Sequence, residues 1–364
     1  MRIAFYGSSL LSSYWNGAAT YYRGVLSAMA ARGWDITFYE PDAFDRQSHR
    51  DIDPPDWARV RVYHAKPGAV AAVLGEARHA DVVVKASGVG VFDNELLAGI
   101  LHHTRPGCLR VFWDVDAPAT LAELRSDSSH PIRRALTQLD LVLTYGGGAP
   151  VVDAYTGLGA VACYPIYNAL DPTTHHPVMP DPALKANLSF LANRMPDREA
   201  RAEEFFFRAA QLAPGRQFLL GGNGWDDKQL SPNIRWIGHV GTERHNAFNS
   251  SALAVLNVAR ESMASMGFCP ATRVFEAAGA GACLITDAWK GIEQFLKPGD
   301  EVIIARDGTD VAAELAALTP AAAAAIGSRA RRRIMAEHTY HRRALIVDRL
   351  FRQALTRKRR SAAA

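Results

Sequence analysis

Residues 267–287 read GFCPATRVFEAAGAGACLITD, and the reading of this stretch decides the fold. Pro270 suits the first turn of a helix, where its missing N–H would be unpaired anyway, and Ala271 to Ala278 continue with good helix formers. Val274, Ala277 and Ala278 can face a core while Arg273 and Glu276, three apart, share another face. The run Gly279-Ala280-Gly281 allows a tight turn, and Ala282 to Thr286 is predicted as a short buried strand. Helix, turn and strand in this order make half of a βαβ unit. A helix N-terminus offers free N–H groups and a positive dipole end that can hold a diphosphate, and a carboxylate one turn later can accept bonds from a ribose diol. A plain packing helix with a surface ion pair fits the same residues equally well.

The surrounding chain has 364 residues, 48% hydrophobic and 21% charged, which is globular and long enough for two cores. Membrane, fibrous and disordered classes are excluded by that balance. The start MRIAFYG opens directly in a strand-like run without an apolar signal core, and no stretch approaches the ~20 apolar residues of a spanning helix. A cytoplasmic location is the expectation. Cys108, Cys163, Cys269 and Cys283 lack C-x-x-C spacing, so neither a zinc cluster nor a disulfide framework is indicated.

The formal charge of +4 is unevenly spread. Residues 329–364 carry twelve Arg/Lys against two Asp/Glu, so this tail holds +10 and the preceding residues −6. Such a tail can favour nucleic acid or an anionic membrane surface. Ile346, Val347, Leu350, Phe351, Ala354 and Leu355 recur at helical spacing, however, and a packed helix with a solvated Arg face accounts for them without a partner. Arg357 to Arg360 are expected as a frayed end. The aromatic interleaving of a single-strand binder is missing, so no nucleic-acid partner is expected.

In chain order, Arg2 to Tyr6 is strand-like and leads through Gly7-Ser8-Ser9, then Asn16 and Gly17, into a helix pattern carrying Tyr22, Val25, Leu26 and Met29. The loop lacks G-x-G-x-x-G, which speaks against a nicotinamide or flavin site. Further strands are predicted at Asp35–Tyr39, Val60–Tyr63, Asp81–Lys85, Leu109–Trp113, Leu139–Thr144 and Ala160–Tyr164, alternating with helical or turn-rich segments. That alternation argues a parallel, doubly wound sheet, in which ligands bind outside the carboxyl ends of strands. Gly7 and Ser8, then Ser87 and Asp93, then Asp114 and Asp116, and the bare backbone of Gly146 to Gly148 occupy such positions. Two carboxylates without a third ligand make a poor metal site, while a turn role and a catalytic role fit Asp116 equally well.

Residues 165–187 hold five prolines without periodicity and are predicted as an interdomain linker. His175 and His176, adjacent in an extended stretch, point apart and make no metal pair. A second alternating set follows: strand Leu188–Ala192, helix Glu199–Leu212, strand Gln217–Leu220 ending in GGNGW, strand Ile234–Ile237 ending in Gly238-His239, a short helix at Asn246–Ser250 and strand Ala252–Asn257. After the opening stretch come strand Glu301–Ala305 and alanine-rich helices broken at Thr319-Pro320 and Gly327. Arg194 and Arg198 follow the first strand of this half, where guanidinium groups suit a diphosphate and solvated loop charges are equally compatible. His239 fits a place beside a nucleobase or an ordinary turn.

This order of elements resembles the GT-B glycosyltransferases, and in particular the bacterial CgeB-like spore-maturation group. The likeness rests on TRVFEAAGAGACLITD with FLKPGDEVIIA, on FLANRMPDR, GGNGW and IRWIGHV, and in the first half on WDVDAPATLAEL, VLTYGGG and YNALDPTTHHPV. It implies that the C-terminal half holds a nucleotide-sugar donor, that the N-terminal half receives the acceptor and that a final helix crosses back onto the first domain. By position, Glu276 resembles the carboxylate that holds the donor ribose, and Arg194 and Arg198 resemble diphosphate contacts. Gly238 and His239 resemble the loop beside the base, and residues 267–272, with Gly267, Phe268 and Thr272, the backbone cradle for the phosphates. Arg273, Gly222, Asn223, Gly7 and Ser8 complete the donor-side candidates. Many retaining relatives carry a second Glu eight positions before the ribose Glu; Phe268 stands there in this chain.

The expectation is a two-domain α/β protein of two Rossmann-like doubly wound domains facing across a cleft. Residues 1–168 form the acceptor side with helix 338–357 packed back on it, 169–186 the linker and 187–337 the donor domain. The expected activity is transfer of a sugar from a nucleotide-diphosphate donor to an acceptor hydroxyl, of hexosyltransferase type, with no cofactor and no metal. Asp116, with Asp93 in reserve, is the expected base, and a retaining reaction would need no such base. The expected partners are the donor and an acceptor, with weak contact of the basic C-terminus to an anionic membrane surface. A nucleotide-sugar epimerase and a non-catalytic binding protein of the same fold are the alternatives.

Overall fold

The structure, a computed structural model, describes residues 1–12, 18–66 and 68–363; Asn16 and Gly17 lie outside the described residues. Contacts divide the chain into two units, Met1–Tyr167 with Tyr340–Ala364, and Asn168–Thr339. In chain order the first begins β1 (Arg2–Tyr6), α1 (Ala18–Ala30), β2 (Asp35–Asp42), β3 (Ala58–His64), α2 (Ala69–Glu76), β4 (Val82–Ala86) and α3 (Asp93–His102). It continues β5 (Leu109–Asp114), α4 (Ala117–Ser126), α5 (Pro131–Ala135), β6 (Leu141–Thr144), α6 (Gly148–Gly157) and β7 (Cys163–Pro165). The second unit runs β8 (Ala186–Leu191), α7 (Pro196–Ala202), α8 (Arg208–Leu212), β9 (Phe218–Gly221), β10 (Ile234–Trp236), α9 (His245–Ser251) and β11 (Ala252–Asn257). It closes with α10 (Glu261–Met266), α11 (Thr272–Gly279), β12 (Leu284–Asp287), β13 (Ile303–Ala305), α12 (Gly308–Ala317) and α13 (Pro320–Glu337); α14 (Tyr340–Ala363) belongs to the first unit.

Each unit is built on one wholly parallel sheet, ordered β3-β2-β1-β4-β5-β6-β7 in the first and β10-β9-β8-β11-β12-β13 in the second. Parallel sheets are covered on both faces, and the strands are correspondingly buried and mainly apolar: all of β4, β6, β9 and β12 is buried, with Lys85 in β4 and Thr286 and Asp287 in β12 among the polar residues near their carboxyl ends. Phe5 stacks on Phe38 with centroids 5.1 Å apart and meets Tyr22 edge-on at 5.2 Å, tying β1, β2 and α1 together. Phe190, Phe206 and Phe218 do the same for the second core. Among the described residues no single helix is long and apolar enough to cross a membrane.

Several boundaries differ from the sequence reading for identifiable reasons. Pro270 does not enter the first turn of α11; Ala271 is the N-cap and the helix starts at Thr272. The expected helix 199–212 contains a π turn at Glu203–Phe207 between α7 and α8, which brings Phe205, Phe206 and Phe207 all into the core. Gly327 does not break α13, because its bare Cα is where the helix meets the Gly281 carbonyl. Residues 168–180, read as linker, pack on the second unit: Leu170 bridges Thr339, and Asn246 holds the backbone on both sides of His175.

Helix α14 packs on α1 and on Trp34 in the segment after α1, and the Trp34 and Phe351 rings meet at 5.8 Å. Asp348, its side chain 7% exposed, accepts from Arg32 Nη2 at 2.7 Å, Trp34 Nε1 at 2.8 Å and Arg352 Nε at 2.6 Å. Burial opposes ionisation of this carboxyl, but the three donors outweigh it and hold its pKa below the ordinary range. Asp348→Ala strands the buried indole N–H and the Arg32 charge, so chemical denaturation should show a loss of about 2–4 kcal/mol. A loss below about 0.5 kcal/mol would mean that the helix docks by apolar contact alone. The closing residues are not frayed as expected: α14 extends to Ala363, with Lys358 Nζ 2.5 Å from Asp140 and Arg359 Nη2 3.1 Å from Asp81.

Candidate functional site

In the second sheet the strand order reverses between β8 and β11, and a ligand crevice forms outside the carboxyl ends of strands at such a reversal. The chain leaves β8 through Asn193 and Arg194, and leaves β11 into α10, the loop 267–271 and α11. Gly267 has φ +73°, and a Cβ there would meet the Lys290 backbone oxygen at 3.0 Å. Phe268 is also left-handed, at φ +53°; its N–H donates to the Lys290 carbonyl at 2.6 Å and its ring lies under Lys290 Nζ at 5.7 Å. Two adjacent positive-φ residues pinned to one carbonyl fix the loop that enters α11.

Ala271 supplies no capping side chain, and of the first-turn N–H groups of α11 only that of Val274 is engaged among the described residues, with the Ala271 carbonyl at 3.1 Å, so those of Thr272 and Arg273 can meet an anion. Arg273 Nη1, on α11, and Ser262 Oγ, on α10, are buried polar atoms with no partner among the described residues. Burial, partly offset by Glu276, holds Arg273 below the usual guanidinium range.

One turn along α11, Glu276 is buried rather than on a solvated face. Its carboxylate accepts no hydrogen bond among the described residues; His175 Nε2 stands 3.8 Å from Oε1. One ring nitrogen of His175, one of His245 and one Glu276 oxygen lie within 4.8 Å of one another. Burial would raise the Glu276 pKa, but His175, Arg273 and His245 outweigh it and hold the carboxyl below its ordinary range. His245 is pushed down to about 4, first by burial and then by Arg273 and His175 against the pull of Glu276. Near neutrality the group is therefore a carboxylate beside an uncharged His245.

In the sequence His175 stands out only with its neighbour His176, as a pair set aside for metal binding, and His245 does not stand out. His175 and His245 lie in different segments, and no spacing signals their meeting. They meet because Gly279 lets the Pro-rich segment lie against α11, where a Cβ would strike Leu170 at 2.3 Å and approach the His175 carbonyl at 3.2 Å.

The remaining donor-side candidates have definite places. Arg194 is held by Glu199 at 2.5 Å and Asp227 at 2.6 Å, with its guanidinium 5.8 Å from the Trp225 ring centre. Arg198 lies in α7, the helix that follows β8. Gly222, at φ +114°, donates to the Gly238 carbonyl at 2.7 Å, and a Cβ on it would fall 2.1 Å from the Ala192 carbonyl, so no other residue fits there. Asn223 N–H donates to Asn193 Oδ1 at 2.9 Å; Gly238 has φ +69°, and His239 is exposed.

In the first unit, Gly7 and Ser8 follow β1, with Gly7 N–H on the Tyr39 carbonyl at 3.1 Å and the Ser8 carbonyl accepting from Arg46 Nη1 at 3.4 Å. Asp93 is paired with the buried Lys85 ammonium, and its other oxygen accepts from Gly90 N–H at 2.8 Å. The two members of the DVD pair separate in role. Asp114 is fully buried and accepts from Tyr155 Oη at 2.5 Å, Thr120 Oγ1 at 3.0 Å and Asp116 N–H at 3.0 Å, bracing the turn. Asp116 is the half-buried N-cap of α4, its side chain not used as a cap.

Residues 198–347 match the family model described as glycosyl transferase-like. No curated protein matches the chain. Among solved structures, the chain is similar to sucrose-phosphate synthase from Thermosynechococcus elongatus, with TM-score 0.70 at 16% identity, covering 98% of this chain and 99% of that one. It is similar also to Alr3699/HepE from Anabaena, solved with UDP and glucose, with TM-score 0.66 at 13% identity, covering 97% of this chain and 100% of that one. An alpha-glucosyltransferase solved with UDP and a 13-mer DNA gives TM-score 0.69 at 12% identity, covering 98% and 99%. These likenesses show the GT-B fold, two parallel sheets of seven and six strands.

Proposed function

We propose that this chain is a GT-B glycosyltransferase of the CgeB-like type, moving a sugar from a nucleoside-diphosphate donor to an acceptor hydroxyl without a catalytic metal. One observation carries the reading: at the switch point of the second sheet, an uncapped helix start and the unpartnered Arg273 Nη1 precede a buried carboxylate that accepts no hydrogen bond. Cationic and N–H donors suit a diphosphate, and a carboxylate one turn on suits a ribose diol. The glycosyl transferase-like match covers these residues.

In this reading the chemistry follows from charge. As the glycosidic bond breaks, negative charge grows on the departing diphosphate, and Arg273, Ser262 Oγ and the α11 N–H groups stabilise it. Asp116 in the first unit takes the acceptor proton. Asp93 is the poorer base, because its charge is already committed to Lys85.

Calorimetric titration with UDP, followed by turnover assays against nucleotide sugars, tests the assignment. Micromolar UDP affinity with sugar release is expected; no binding of any nucleoside diphosphate would reject it, and isomerised donor in the absence of acceptor would indicate an epimerase. Asp116→Asn should retain UDP affinity and lose about 10²–10⁴-fold in turnover. Normal turnover would return the residue to its N-cap position and nothing more.

A further inference from the structure

We propose that His175, His245 and Glu276 form a binding site for a zinc-like divalent cation, which competes with the donor for Glu276. The site is independent of the donor reading except for that shared carboxylate. Two imidazole nitrogens and one carboxylate oxygen are a donor set that borderline metals such as Zn²⁺ prefer over Mg²⁺ or Ca²⁺.

The geometry is close to closed. Ligands bound about 2.0–2.1 Å from one Zn²⁺ stand about 3.3 Å apart. Here all three atoms lie within 4.8 Å, and His175 Nε2 and Glu276 Oε1 are 3.8 Å apart, so a contraction on the order of 1 Å is needed.

The surroundings orient the ligands as outer shells of metal sites do. His175 Nδ1 is 2.9 Å from Thr174 Oγ1, which turns Nε2 toward Glu276. His245 Nε2 is 3.3 Å from the Val240 carbonyl and so carries the proton, leaving the Nδ1 lone pair for a metal. The Asn246 side chain accepts from His176 N–H at 3.2 Å and donates to the Thr174 carbonyl at 2.9 Å, clamping the His175 backbone beside α9. Ligands held in advance lose little freedom on binding. The site keeps an open coordination position, since three protein ligands converge among the described residues, and a ribose diol would need the same carboxylate oxygens. The nearby Arg273 charge opposes a cation, so micromolar affinity is expected rather than the tighter binding of structural zinc sites.

The test uses the full chain freed of metal by chelation, titrated with Zn²⁺ by calorimetry and with Co²⁺ by visible absorption. One zinc per chain, and an absorption band of low-coordinate cobalt, are expected. His175→Asn and His245→Gln should each weaken zinc binding at least about tenfold, and His176→Asn should leave it unchanged. Circular dichroism checks that each variant is folded. Saturating zinc should weaken UDP binding to the wild type but not to His245→Gln. Absence of the cobalt band, or zinc affinity in both ligand variants equal to that of the wild type, would overturn the site. The metal titrations contain no nucleotide, so a failure of the donor reading would leave their outcome legible.

Discussion

Replacing Glu276 by Gln is expected to weaken nucleoside-diphosphate binding by about 2–3 kcal/mol, roughly 30- to 150-fold in Kd. The carboxylate is buried, ionised and without a hydrogen-bond donor among the described residues, so it carries an acceptor capacity that the fold itself does not use. Hydrogen bonds to a charged acceptor are stronger than those to a neutral amide, and two ribose hydroxyls offer two of them. The Gln side chain has nearly the same volume and sheds the desolvation cost of the charge, so stability should change by less than about 1 kcal/mol. Calorimetry with UDP reads the affinity and thermal melting reads the stability. Unchanged affinity would assign Glu276 to the histidine cluster alone and remove the central element of the donor site.

The second large effect is on folding, and its sign separates two levels of argument. In a helix, Gly→Ala at Gly327 should stabilise by up to about 1 kcal/mol on propensity alone. In the tertiary structure a Cβ there would lie 2.1 Å from the Gly281 carbonyl oxygen, 2.8 Å from its carbon and 2.9 Å from the Ala282 carbon. These are backbone atoms of the turn that ends α11, and they cannot rotate away. Gly327→Ala is therefore expected to destabilise the second unit by about 1–3 kcal/mol, with larger side chains worse. Gly75 in α2 is the control, because nothing lies within 4 Å of its added Cβ. There the propensity gain should appear as a higher melting temperature. A stabilising Gly327→Ala would mean that α13 and the turn are not in the contact described.

The two expectations show how differently the sequence speaks about fold and site. Apolar, β-branched runs alternating with helical patterns suffice to give two parallel sheets, because a strand covered on both faces must be mainly apolar along its length. Helix α11 and strand β12 could thus be read from residues 271–287 to within two or three positions. The π turn at Glu203–Phe207 could not, since three consecutive phenylalanines satisfy no single helical face until the core they enter is known.

For the site, local chemistry marked the α11 entrance, Glu276 and the strand-end glycines. It had no means of showing that Arg194 is occupied by Glu199 and Asp227, or that Glu276 is buried. The stretch 267–287 by itself determined a helix N-terminus followed by a carboxylate and a tight turn before a buried strand, because each of these depends on neighbours along the chain. Only the tertiary structure decided what surrounds that carboxylate. His175 and His245 reach it through close approaches at Gly279 and the Asn246 clamp, and such contacts depend on distances across the fold that no spacing in the sequence encodes.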